Sequence, residues 1–214
     1  MHNIWMRLKD DFQLSIITLV GFCSLIGITP YAVYRLLEGS LMVGVVDSLM
    51  VGSTVLAVLY AWKTGNTLRP GQFLAAVYSV GTFLVAVKLG VNGLFWFYTL
   101  ILFNFFVVPP LQSAVATFGS LLAICVYGYL NPGVVFESHY QMVSFFVTCV
   151  IASFFASVFA YRGRRQRVQL SELATLDPLT RVGNRRAMDA ELKIALGEHR
   201  RYGTRYGMLV LDLD

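Results

Sequence analysis

The sequence predicts an all-α polytopic membrane bundle of six transmembrane helices, followed by a helical connector and the first helix and strand of an α+β domain. Three observations carry that expectation. Of 214 residues, 57% are apolar or aromatic and 14% are charged, against about 45–50% and about 25% in soluble domains. The charges are also segregated. Residues 12–161 hold four cations (Arg35, Lys63, Arg69, Lys88) and three anions (Glu38, Asp47, Glu137), whereas residues 162–214 hold eleven and seven. Finally, the uncharged stretches match a bilayer, since a helix needs roughly 20 residues to cross about 30 Å of hydrocarbon. The pattern excludes a single soluble globule, a disordered chain and a small disulfide scaffold.

The first span is expected at residues 12–34, which carry no charge, and runs on to Leu37. Its start is basic, but no small-x-small cleavage site follows and the apolar run is long for a signal sequence, so it is expected to be retained. The second span, residues 39–62, is interrupted only by Asp47, and the third, residues 70–87, is closed by Lys88. Residues 89–136 lack a charge for 48 positions, too many for one span and suited to two. Their break is expected at Pro109-Pro110, which removes two backbone donors and pushes the preceding residue out of the helical region. The sixth span, residues 140–161, follows the turn signal Asn131-Pro132-Gly133.

Six spans leave both termini on one side. That side collects Arg7, Lys9, Lys63, Arg69, Arg162, Arg164, Arg165 and Arg167, eight cations against Arg35 and Lys88 on the other. The positive-inside rule then predicts cytoplasmic termini. Trp5, Trp62 and Tyr161 fall where interfacial aromatics belong.

Within the spans, Cys23, Cys125 and Cys149 read as small apolar packing residues. None of the histidines (His2, His139, His199) lies at mid-span, so bis-histidine haem ligation in the bundle is excluded. Asp47 is the one ionisable residue inside a span, and Arg35 and Lys88 end neighbouring stretches on the same outer side. These three form a candidate intramembrane sensor site. The alternatives are a structural ion pair fixing helix register, a ligand pocket open to the periplasm, and proton coupling. Gly44, Ser48 and Gly52 permit close helix packing on the second span.

Arg162-Gly163-Arg164-Arg165-Gln166-Arg167 follows the sixth span. Such a run anchors on anionic headgroups at about 1 kcal/mol per cation, and no nucleic-acid partner is expected at a membrane surface. Val168, Leu170 and Leu173 continue the helix as a connector, over fewer than two heptads. The expected organisation is a membrane domain at 1–161, a basic connector at 162–176 and a soluble segment at 177–214.

In that segment Asp177 before Pro178 and Asn184 before Arg185 are helix N-cap signals. Met188, Leu192, Ala195 and Leu196 repeat at helical spacing. The apolar run at residues 208–211 reads as a strand buried on both faces, ending in Asp212-Leu213-Asp214. On the residues alone, that ending is a solvated strand end.

The run Asp177-Pro178-Leu179-Thr180 with Asn184-Arg185-Arg186 resembles the opening signature D-x-L-T-x-L-x-N-R-R of the GGDEF domain of diguanylate cyclases. Leu211-Asp212-Leu213-Asp214 resembles that family's first core strand, which ends in D-[IL]-D. The resemblance covers residues 170–214, about a fifth of the chain, and departs at Arg181 and Val182, where Gly and Leu are usual. It implies that Asp212 and the Leu213 carbonyl hold a Mg²⁺ bridging GTP phosphates, with Asp214 in support. Mg²⁺ favours hard oxygen ligands in small number, with phosphate and water completing the octahedron. It also implies a salt link between Asp177 and Arg185, a bacterial cytoplasmic (inner) membrane, a homodimer, and condensation of two GTP into cyclic di-GMP by a larger parent protein. The GG[DE]EF loop is expected beyond Asp214, so residues 1–214 are expected to be a truncated piece without cyclase activity. The alternative is a membrane receptor or transporter-like protein whose GGDEF domain is degenerate, binding cyclic di-GMP or degrading it through a downstream EAL domain.

Overall fold

The computed structural model describes residues 7–8, 11–175, 177, 180 and 182–209. Nine helices are numbered here among the described residues: α1 (Phe12–Gly27), α2 (Thr29–Leu37), α3 (Leu41–Thr64), α4 (Leu68–Leu89), α5 (Val91–Leu94), α6 (Trp96–Val107), α7 (Pro110–Leu130), α8 (His139–Thr175) and α9 (Arg185–Tyr202). Two compact units divide the chain, Met1–Tyr161 and Arg162–Asp214.

Local chemistry decides where the helices begin and end. Asp11 caps α1, its carboxylate accepting from the Leu14 N–H at 3.0 Å. Pro30 stands in the first turn of α2, where its missing N–H costs nothing. Gly65, at φ 72°, ends α3 in the left-handed conformation that a side chain would strain. Val108 is extended ahead of Pro109, and α7 restarts at Pro110. Ser113 spans that break, its hydroxyl 2.8–3.0 Å from the carbonyls of Asn104, Val108 and Pro109.

Five segments are long and apolar enough to cross a membrane: Phe12–Leu37, Leu41–Thr64, Leu68–Leu89, Pro110–Leu130 and His139–Leu170. The chain is a multi-pass membrane protein. The expected fourth span is where the count departs from six. It is the shorter apolar stretch Val91–Val107, divided into α5 and α6 at Phe95. The 48 uncharged residues divide unequally at Pro109-Pro110, into the shorter stretch Val91–Val107 and the full-length Pro110–Leu130.

The first unit departs from the burial pattern of a soluble domain, with apolar residues outside as well as in the core and polar ones buried among them. Leu19, Phe22 and Ile26 on α1 and Phe154, Phe155 and Phe159 on α8 are exposed, while Ser24, Asp47, Thr54, Thr82, Asn104, Ser113 and Thr117 are buried. That arrangement suits lipid, where the outside gains nothing from polarity and helices associate through small and hydrogen-bonding residues. α4 is the hub, contacting α3, α5, α6 and α7. At its centre Tyr78 stacks on Phe103 of α6, ring centroids 4.5 Å apart.

In the second unit α9 starts as expected, with the Asn184 side chain accepting from the Ala187 N–H at 3.1 Å. The expected strand is not present among the described residues. Met208 and Leu209 are exposed and irregular, and residues 210–214 lie outside the described set. A central strand needs neighbours for its backbone groups and both faces, and among the described residues none is present.

Candidate functional site

The α2–α3 hairpin builds the principal polar site of the bundle. Arg35 occupies the last turn of α2, and the Ser40 N–H bonds its carbonyl at 2.9 Å, closing a turn through Gly39 at φ 85°. α3 then passes close to α2. A Cβ on Gly44 would stand 2.7 Å from Leu36 Cγ and 3.1 Å from the Leu36 backbone nitrogen, so only glycine fits at this approach. Two turns into α3, Asp47 receives Arg35 Nη1 at 2.5 Å. Both are buried, their side chains 10% and 5% exposed.

Arg35 has a second support. Its guanidinium lies 5.4 Å from the Tyr31 ring centroid, one helical turn back, and the Tyr31 ring meets Trp96 of α6 edge-on at 5.7 Å. The charge pair is therefore continuous through an aromatic contact with the start of α6. Lys88, the third residue of the sequence-derived trio, is exposed and is not a partner of Asp47. Tyr31 carries a sequence signal that reading charges alone overlooks, its position four residues before Arg35.

A second polar cluster joins three helices and has no counterpart in the sequence reading. Tyr78 of α4 donates to Ser24 of α1 at 3.0 Å and lies 2.9 Å from the Thr54 hydroxyl of α3. Nearer the chain's start, Trp62 donates from Nε1 to Thr18 at 3.0 Å, and Arg7 sits over its ring at 5.2 Å. These contacts contain no carboxylate or imidazole, and they join the helices through neutral hydrogen bonds.

In the second unit, Asp177 Oδ1 accepts from the Thr180 N–H at 2.9 Å and its hydroxyl at 3.0 Å, while the Asp177 N–H donates to the Val182 carbonyl at 2.8 Å. This is a side-chain-stabilised turn leading into α9. Arg185, exposed in the first turn of α9, is not among the described partners of Asp177. Met188, Leu192, Ala195 and Leu196 of α9 line an open hollow of about 780 Å³ with residues 205–208. Asp212 and Leu213, the expected metal ligands, lie outside the described residues. Among the described residues, no three His, Cys, Asp or Glu side chains cluster as a metal site. Compared with family models, curated proteins and solved structures, the chain matches none.

Proposed function

We propose that the chain is the membrane-embedded sensor and anchor of a diguanylate cyclase whose GGDEF domain opens at Asp177. The observation that carries this reading is the ordered pair of motifs, residues 177–186 and 211–214, behind a polytopic bundle. Local structure supports it. Asp177 organises a turn, Asn184 caps α9, and among the described residues the apolar face of α9 borders an open hollow that a sheet could fill. In this reading Val91–Val107 is the fourth of six crossings, both termini are cytoplasmic, and the membrane is a bacterial inner membrane.

Asp212 and the Leu213 carbonyl would hold Mg²⁺ when the complete domain is present, and the ion would neutralise phosphate charge. Two facing domains would each position one GTP, so any change in how two copies meet would alter the rate. α8 runs without interruption from His139 to Thr175 and is the natural relay. The Arg35–Asp47 pair gives the bundle a buried polar element that a stimulus can act on.

The test has two parts. The gene-encoded protein, carried past Asp214 and reconstituted with GTP and Mg²⁺, should yield cyclic di-GMP, while residues 1–214 alone should yield none. A downstream sequence without GG[DE]EF, or an extracellular C-terminal tag, would defeat the reading. An EAL domain downstream with net cyclic di-GMP hydrolysis would replace synthesis with degradation.

A further inference from the structure

We propose that the bundle carries a binding site for a small uncharged amphiphile, an apolar body bearing one oxygen acceptor, in the groove between α5–α6 and the first turns of α8. The groove has a volume of about 260 Å³. That is below the range of about 300–1,000 Å³ typical of drug-sized ligands, so the space suits a small body. Val91, Leu94, Phe95 and Phe145 supply apolar walls. Phe145 is itself fixed by edge contacts with Phe97 and a tilted contact with Phe136, so that wall is rigid.

The polar lining comes from Tyr98, Gln141, Ser144 and Thr148. Their hydrogen bonds determine what is left for a ligand. Thr148 donates to the Phe145 carbonyl at 2.9 Å, so its oxygen receives the Tyr98 hydroxyl at 2.7 Å. Gln141 Oε1 accepts from the Glu137 N–H at 2.7 Å, which leaves its NH₂ group. Among the described residues, neither that NH₂ nor the Ser144 hydroxyl has a hydrogen-bond partner. The two stand three residues apart on α8, the spacing of neighbours on one helix face.

The groove therefore offers two spare donors set in an apolar wall. No carboxylate, ammonium, guanidinium or imidazole lines it, so an ion entering would lose hydration without a counter-charge. A hydrocarbon tail would cover both donors and pair with neither. A ketone or similar oxygen satisfies them while its carbon body fills the remaining space. The inference stands on the bundle alone and is independent of the reading given to the C-terminal segment.

The test uses the full chain in phosphatidylcholine nanodiscs and benzophenone as a photoprobe, a neutral body with one ketone. Adducts mapped by peptide mass spectrometry should concentrate in residues 91–98 and 141–148. Acetophenone should compete for them, and ethylbenzene, the same size without the oxygen, should not. Ser144→Ala and Gln141→Leu, made separately and checked for native helicity, should each cut the yield at least threefold. If one variant fails to fold, the other decides. Adducts spread evenly over Phe154, Phe155 and Phe159, yields unchanged in the folded variants, or equal competition by ethylbenzene would overturn the proposal, the last by showing a groove for hydrocarbon chains.

Discussion

Arg35 and Asp47, twelve residues apart, meet at 2.5 Å inside an apolar bundle and turn two adjacent helices into one hairpin. Losing one partner leaves the other charge buried and uncompensated, at a cost of about 3–5 kcal/mol. Arg35→Leu and Asp47→Leu should each lower stability by that order in SDS-induced unfolding followed by circular dichroism. The double variant should recover much of the loss, since the pair is then replaced by apolar contacts. Two additive losses would show that the residues act separately.

Gly44 is required by close approach, and Gly52 is not. A Cβ at Gly44 would press on the Leu36 backbone, whereas one at Gly52 would meet nothing within 4 Å. Overpacking costs about 1–3 kcal/mol, more than the roughly 0.5–1 kcal/mol that alanine gains over glycine in a helix. Gly44→Ala should therefore destabilise the bundle and Gly52→Ala should stabilise it slightly, in the same unfolding assay.

Tyr78→Phe should cost about 1–2 kcal/mol, because it removes the hydroxyl shared by Ser24 and Thr54. Thr54→Val should cost less than Tyr78→Phe, since it leaves the Tyr78–Ser24 bond intact. Equal losses would show that the Tyr78–Ser24 bond contributes nothing of its own.

At α9, Asn184→Ala removes the acceptor for the Ala187 N–H and should destabilise the helix by about 1 kcal/mol. Hydrogen exchange should quicken across the first turn of α9 while the amides of α3 and α4 keep their rates.

The Tyr206 hydroxyl donates to the Glu198 carboxylate, and that bond with the neighbouring negative charge holds the phenol above its ordinary value near 10. Ionising the phenol would lose the bond and set two anions together. Glu198→Gln should move the Tyr206 titration down toward 10, observable by carbon NMR of ring-labelled tyrosine. A titration that does not move would show that Glu198 is not its partner.

Much of the membrane unit was legible because its signals act locally. The break at Pro109-Pro110 falls where two missing donors require it, and in the second unit the cap at Asn184 sits beside the helix it serves. Span length was less legible. Absence of charge permits a crossing without fixing its ends, and the expected fourth span became Val91–Val107, divided at Phe95. Of the expected strand, Met208 and Leu209 are irregular, and the rest of it lies outside the described residues.

The site shows the same division. Asp47 stood out as the lone charge within a span, and the sequence marked both Arg35 and Lys88 as available to it. Hairpin geometry selected Arg35 and left Lys88 exposed. The sequence by itself determined that this chain is built from bilayer-length apolar helices, because solvent preference is a property of each segment. Only the tertiary structure decided which polar groups meet, since Ser24, Thr54 and Tyr78, or Tyr98 and Thr148, lie on different helices and become neighbours through packing alone.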